Sequence, residues 1–400
     1  MKPVLSYFTT QNIAAFILIL FCIQYIPIES RDGISYLKLG VSLICPFIFI
    51  VKSPQISKPV VYFAIYYMLV IIAAISHPAT LRWSTVLFMA TFLITYITFY
   101  NLIVVQHAFS KDFFASLIRK LIYAYCIVLI LQQCLLIAGI KIFPLLNLVQ
   151  DLERGLGANS LTYEPSSVAV ILSFAYLSLL RMRELDLGHK LTWAEVWANE
   201  RLATLAFFYT MIGVVSGTAM VALVIIALYF IPRKNYILSI LIVFIIALLF
   251  FNVDFLPLNR ARDSFLAFLT LDREKVMQAD GSAAARIIPI VNTLTELDLT
   301  SWEGWFGHGV DYGLSKWIFS ERTMVGGIAD YGFLSFIIMQ LAVYSCMIKR
   351  FFSLETLLWT CIGLLTLANV PLNWGAMMMF TVVRYFQTEY RNERCFSNNS

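Results

Sequence analysis

Five arginines, Arg260, Arg262, Arg273, Arg286 and Arg322, fall in one stretch, residues 252–324, of a chain that is otherwise mostly apolar. A guanidinium stays charged and presents a planar fork of donors that matches phosphate oxygens two at a time, so arginines gathered in one loop suit an anionic, phosphate-bearing substrate. Arg286 follows Ser282-Ala-Ala-Ala and leads into Ile287, Ile290, Val291, Leu294 and Leu297, whose spacing predicts an amphipathic helix from Ala283 to Leu297. A cation near a helix N-terminus opposes the dipole, so stability alone would not select Arg286 there. Arg260 and Arg262 sit closer to the preceding apolar segment, where attraction to lipid headgroups explains them as well as substrate binding does.

The same stretch contains Phe306-Gly-His308-Gly-Val-Asp311-Tyr-Gly313, after a turn rich in tryptophan at Trp302 and Trp305. Glycines on both sides give His308 a tight, exposed loop, and histidine is the side chain whose proton moves most readily near neutral pH. Proton transfer is the chemistry it offers, against the plainer reading of an incidental loop histidine. A second connection, 139–163, carries Arg154 and runs into Tyr163-Glu164-Pro165-Ser166. Glu164 is either the cap of the helix that Pro165 opens or a carboxylate held at a helix mouth to act on substrate. No GxSxG elbow, HExxH pair, phosphate-binding glycine loop or zinc spacing occurs.

The elements that must hold these residues are membrane spans. Of 400 residues, 60% are hydrophobic and 13% charged, and the mean hydropathy is +0.79, far from the balance of a soluble domain. The 32 Phe and 20 Tyr fit lipid-facing surfaces and interfacial belts. The first apolar run lacks a small-residue cleavage site and reads as a span. Seven scattered cysteines suggest neither disulfides nor a metal, and the net charge of +5 fits basic cytoplasmic loops, not nucleic acid. Apolar windows near the length a bilayer requires predict spans at 11–28, 34–51, 59–76, 83–105, 114–138, 164–181, 201–215, 218–231, 236–251, 325–347, 354–370 and 372–388.

The pair around Ser216-Gly217-Thr218 could be one long helix, the pair at Pro371 one kinked helix, and Arg119 with Lys120 either a polar exception or a sign that its helix starts later. The segment 181–201, with Trp193 and Trp197, reads as an interfacial helix. Lysine or arginine in every alternate connection puts both termini in the cytoplasm and the arginine-rich loop outside. The expected fold is therefore an all-α polytopic integral membrane protein of about twelve transmembrane helices. Residues 1–251 form nine spans with the medium periplasmic loop at 139–163, residues 252–324 the large periplasmic loop, and residues 325–400 the last three spans and a cytoplasmic tail. No internal repeat is evident.

With Tyr163-Glu164-Pro165-Ser166 before the sixth span, Arg286 some way ahead of Gly307-His308-Gly309, and Ala329-Asp-Tyr-Gly332-Phe-Leu opening the tenth span, the layout resembles the Wzy-type O-antigen and exopolysaccharide repeat-unit polymerases of the bacterial inner membrane. The resemblance covers the whole chain as an architecture, through short motifs. It implies a multi-pass glycosyltransferase of lipopolysaccharide or surface polysaccharide biosynthesis. Such an enzyme moves a growing glycan from undecaprenyl pyrophosphate onto a lipid-linked oligosaccharide repeat unit at the periplasmic face, without metal or other cofactor. It also implies a chain-length co-polymerase as membrane partner. By position, Arg154 and Arg286 carry over as the catalytic arginines and Glu164 as the base, although the arginine-then-glycine spacing of the family's loops is not reproduced around either arginine. The related O-antigen ligases carry a histidine motif just before the span after the large loop. Here that stretch reads Ser320-Glu-Arg-Thr-Met-Val-Gly-Gly327, which favours a polymerase.

A sugar diphosphate is already activated, so an enzyme has mainly to hold the departing diphosphate and take a proton from the attacking hydroxyl. On this reading Arg286 and Arg154, supported by Arg260, Arg262 or Arg322, neutralise the diphosphate, Tyr163 helps bind substrate, and Glu164 or His308 is the base. Two other classes compete. A twelve-span transporter or lipid-linked oligosaccharide flippase would place ionisable groups at mid-membrane, where the windows hold almost none. A glycosyltransferase using a polyprenyl phosphate sugar would need a longer first outer loop than the one carrying Glu29 and Asp32.

Overall fold

A computed structural model of the chain describes residues 9–24, 35–52, 54–140, 142–143, 147–148, 157–231, 252, 259, 262–263, 266, 274, 281–316, 324–364 and 371–397. Within them the chain is almost wholly helical. The exception is a ribbon of two strands, β1 (Ile142–Phe143) and β2 (Asn147–Leu148), antiparallel with Ile142 opposite Leu148. Before the ribbon come α1 (Thr10–Cys22), α2 (Tyr36–Val51), α3 (Lys58–Ser76), α4 (Trp83–Val104) and α5 (Lys111–Ile137). After it come α6 (Pro165–Leu187), α7 (Trp193–Gly213) and α8 (Gly217–Tyr229). The large loop contributes α9 (Gly281–Glu296), α10 (Trp302–Phe306) and α11 (Tyr312–Lys316), and the chain closes with α12 (Gly327–Cys346), α13 (Leu354–Leu358, continued as a π-turn to Gly363) and α14 (Pro371–Ser397).

Five helices, α3, α4, α5, α6 and α12, are long and apolar enough to cross a membrane, and shorter apolar helices accompany them, so the architecture is that of a helical membrane protein. Helices stand at each expected window except 236–251, which lies outside the described residues, but several are too short to span alone. The division at Ser216 is real: Val215 adopts φ 51°, a left-handed value costly for a β-branched residue, and separates α7 from α8. No single interfacial helix covers 181–201. Instead α6 runs on to Leu187, Gly188 at φ 75° stops it, and α7 starts at Trp193 behind a Thr192–Glu195 capping box, then kinks at Glu200. The residues just before Pro371 lie outside the described set.

α12 packs along α3, while α14 is central, against α6, α1 and α4. Aromatic side chains fill that centre, with Phe174 on Phe380 at 4.4 Å between ring centroids and Tyr176 stacked on Phe207 at 4.2 Å.

At one end of the bundle Lys111, Arg119, Arg181 and Arg183 are neutralised by carboxylates. Glu200, with its side chain 2% exposed, takes both Arg183 (2.6 Å) and Arg119 (2.9 Å). Arg181 bridges Glu355 and Glu184 at 2.6 Å each, and Lys111 meets Asp186 at 2.6 Å. Arg119 is thus neither a stray charge in a span nor a sign of a later helix start, because α5 begins at Lys111 and its first turns belong to this ionic end. The opposite end carries α10, α11 and residues 157–164.

Candidate functional site

At the loop end, His308 is fixed by backbone. Its N–H donates to the Ala329 carbonyl at 2.9 Å, and the Gly309 N–H donates to the Asp330 carbonyl at 3.1 Å, so 307–309 lies along the start of α12 like a short strand. Two glycines make the approach feasible. A Cβ on Gly307 would stand 2.2 Å from the Asp330 oxygen, and one on Gly332 would stand 2.1 Å from the Trp305 oxygen. Gly332 also sits at φ 84° inside α12, where it breaks the helical path, and Ser335 Oγ donates to the Gly332 carbonyl at 2.7 Å. The His308 ring stacks on Tyr312 with centroids 4.4 Å apart. Burial lowers its pKa, outweighing the attraction of Glu303, and Lys316 and His77 act in the same direction as burial. A half-buried histidine kept neutral is suited to accept a proton.

The turn after His308 docks on the start of α4. Asp311 adopts φ 66° and is 6% exposed; its Oδ2 accepts from Thr85 Oγ1 at 3.2 Å and pairs with Arg82 at 3.4 Å. Asp330, 2% exposed, accepts the Gly313 N–H on Oδ1 at 2.8 Å, which ties the far side of the same turn to α12. Lys316 bonds Glu296 at 2.6 Å and the Tyr312 hydroxyl at 2.9 Å, joining α11 to α9; both bonds raise its pKa.

Glu164 occupies the N-cap of α6, but its side chain makes no cap hydrogen bond and instead accepts from Ser166 Oγ at 3.0 Å. The residues before it form a buried polar plug. The Ser160 N–H donates to Gln132 Oε1 at 2.7 Å, Gln132 Nε2 donates to the Ser160 carbonyl at 3.1 Å, and Ser160 Oγ donates to the Tyr125 carbonyl at 2.6 Å. Asn159 Nδ2 donates to the carbonyls of Thr162 and Tyr163, and Gln24 Oε1 accepts the Tyr163 N–H at 3.0 Å. At about 1.5 Å per residue, contact with Tyr125 and Gln132 carries this non-helical stretch roughly 7 to 18 Å below the end of α5. Backbone at such depth survives only where protein groups satisfy it.

Beside the start of α12 a small cleft of about 30 Å³, room for little more than a water molecule, is lined by Tyr66, Met89, Tyr331, Ser335, Phe336 and Trp374, among others. Trp374 is 4% exposed, and its Nε1 has no hydrogen-bond partner among the described residues. Tyr331 and Gly327 line the cleft from the same turn of α12 whose Ala329 and Asp330 carbonyls hold the histidine loop.

Of the residues singled out in sequence, His308, Tyr163 and Glu164 come to one end of the bundle, His308 on the α3–α12 side and Glu164 at the head of α6; among the described residues no bond joins them directly. Arg286 falls in α9, but that helix begins at Gly281, so Arg286 is in its second turn, where the dipole is weaker than the sequence suggested. Its side chain lies outside the described set. The helix also buries a wider face than expected, from Ile288 to Thr293, with Leu294 exposed. Arg262 pairs with neighbouring Asp263 at 3.7 Å. Arg154, Arg260 and Arg322 lie outside the described residues.

Sequence reasoning passed over Arg82, Asp311, Asp330 and the Gln132–Asn159–Ser160 plug. It also passed over Lys38, buried at 3% in α2 beside Cys22, an ionisable group within a window counted as apolar. The φ > 0 turn at Asp311, between glycines 309 and 313, was the one local signal. No protein-family model matches the chain, and no curated protein is significantly similar to it.

Proposed function

We propose that the chain is a repeat-unit polymerase of surface polysaccharide synthesis in a bacterial inner membrane, working on undecaprenyl-diphosphate-linked oligosaccharides at the outer face. The observation that carries this reading is the asymmetry of the two ends. At one end the buried charges are consumed in ion pairs with one another, as around Glu200 and Arg181. At the other a half-buried histidine, its pKa lowered by burial, is clamped by close glycine packing against the start of α12, whose Gly327 and Tyr331 line a small cleft. Such a division suits surface chemistry on a lipid-linked substrate.

In the proposed reaction the acceptor sugar hydroxyl gives its proton to His308 or Glu164 while its oxygen bonds to the anomeric carbon of the donor glycan. The anomeric carbon–diphosphate bond breaks, and undecaprenyl diphosphate leaves with the electron pair, neutralised by Arg286 and Arg154 with Arg260, Arg262 or Arg322 in support. Tyr163, on the strand of backbone leading to Glu164, contributes to substrate binding. A chain-length co-polymerase is the expected membrane partner. The test is the surface polysaccharide ladder of a strain lacking the chain and complemented with wild type or Arg286→Ala. Loss of the ladder with single repeat units still on the final acceptor fits a polymerase, and a near-normal ladder with Arg286→Ala removes that residue's role.

A carrier for lipid-linked oligosaccharide is the second reading. One observation favours it: the buried non-helical plug at 157–164 resembles the broken-helix regions that line transport sites. In the same strain a carrier defect removes every unit from the surface, the single one included.

A further inference from the structure

Arg82 is the last residue before α4, at its N-cap, and its side chain makes no cap hydrogen bond. A guanidinium beside the positive end of a helix is opposed by the dipole, so helix stability does not account for it. It is anchored by the carboxylate of Asp311, which is only 7% exposed, yet its own side chain is 65% exposed. Asp311 is in turn positioned at a cost: a non-glycine φ of 66° is held by the Thr85 hydrogen bond and by burial against α4. Strained backbone of this kind persists where the surroundings over-determine it and collects at ligand sites. Asp311 is three positions after His308, and His77 lies close enough to His308 to act on its charge. The buried carboxylate meets the guanidinium through one nitrogen, Nη1, and with the arginine side chain 65% exposed further donors of the same group stay accessible beside the positive end of α4.

We propose that Arg82 is a phosphate-binding residue of the loop-end site, aimed by Asp311 and Thr85, and that it takes a phosphate-bearing group at the membrane surface. Phosphate oxygens match the open edge of the fork, and the helix terminus adds to the attraction instead of opposing it once the anion is present. The shared chemistry has two sources, a prenyl diphosphate or a phospholipid headgroup. Assigning the diphosphate rests on the polymerase reading given above.

The experiment uses the purified full chain in detergent micelles, with farnesyl diphosphate, inorganic diphosphate and phosphatidylglycerol as separate probes. Wild type, Arg82→Lys and Arg82→Ala are compared, with monodispersity and melting temperature recorded alongside. Lysine keeps a positive charge for Asp311 but loses the planar fork. The expected result is that Arg82→Lys melts like wild type but binds both diphosphates about tenfold or more weakly, the loss expected for a charge-assisted hydrogen bond. Loss confined to phosphatidylglycerol keeps the phosphate site and assigns it to headgroups. Equal binding of every probe by wild type and both variants overturns the proposal, as does a deficit that lysine restores in full, which marks a purely structural latch. Because binding is read without polymer formation, the two readings fail separately. Arg82-dependent diphosphate binding by a chain that makes no polymer leaves this subsite and removes the polymerase; normal polymer from Arg82→Lys removes the subsite alone.

Discussion

Burial lowers the pKa of His308, and the direction of that shift sets a pH signature. The folded chain binds this proton less tightly than the unfolded chain does, so His308 costs nothing well above the ordinary histidine value of 6.5 and destabilises the fold as pH falls through it. Replacing it with glutamine removes that part of the acid slope: melting temperatures of wild type and His308→Gln are expected to converge between pH 7.5 and 5.5, and parallel curves would deny the shift. Its candidacy was legible because flanking glycines in one loop are a local pattern. The Arg82–Asp311 pair was not, since Thr85 and Asp311, which share the contact, are 226 residues apart and no periodicity links them. Glu164 was legible as a cap position, but the turn of its carboxylate toward Ser166 depends on side-chain geometry that sequence does not carry.

Among elements, hydropathy located α3, α4, α5, α6 and α12 closely, because a bilayer demands apolar length and little else competes over such windows. It failed where a helix bends or a loop turns inward. The kink at Glu200 answers an ionic need, two arginines from other helices converging on one carboxylate, and the plug at 157–162 is decided by Gln24 and Gln132. In sequence Gln132 and Gln133 are a polar pair in an apolar run, and nothing separates their roles. In the structure Gln132 answers both the N–H and the carbonyl of Ser160. Gln132→Leu is expected to leave both unpaired at a cost of about 1–3 kcal/mol per group, lowering the melting temperature of the purified chain. Gln132→Glu, which when protonated both accepts from the Ser160 N–H and donates to its carbonyl, is expected to lose less than leucine does at low pH, and to lose more as rising pH ionises a buried carboxylate against that carbonyl. A leucine variant as stable as wild type would mean that the plug is not what holds the head of α6.

For the molecule as a whole, the contrast between an end knit by ion pairs around the buried Glu200 and Glu355 and an end where a half-buried histidine is clamped by backbone against α12, beside the exposed Arg82, is the basis of the functional reading. Of the basic residues that suggested a cytoplasmic side, Lys111, Arg181 and Arg183 share one end of the bundle, joined through Lys111–Asp186, Arg183–Glu200 and Arg181–Glu355. Charge asymmetry is a property of connections and is readable from sequence; which carboxylates meet which cations is a property of packing and is not. The most direct test of the central claim is a reconstitution. The purified chain, in proteoliposomes supplied with undecaprenyl-diphosphate-linked repeat units from its own host, is followed by mass spectrometry. A series of products spaced by one repeat-unit mass, with free undecaprenyl diphosphate released at each step, is the predicted result. A lipid-linked unit that never grows, while it crosses the bilayer in a protein-dependent way, would contradict the account and identify a carrier instead.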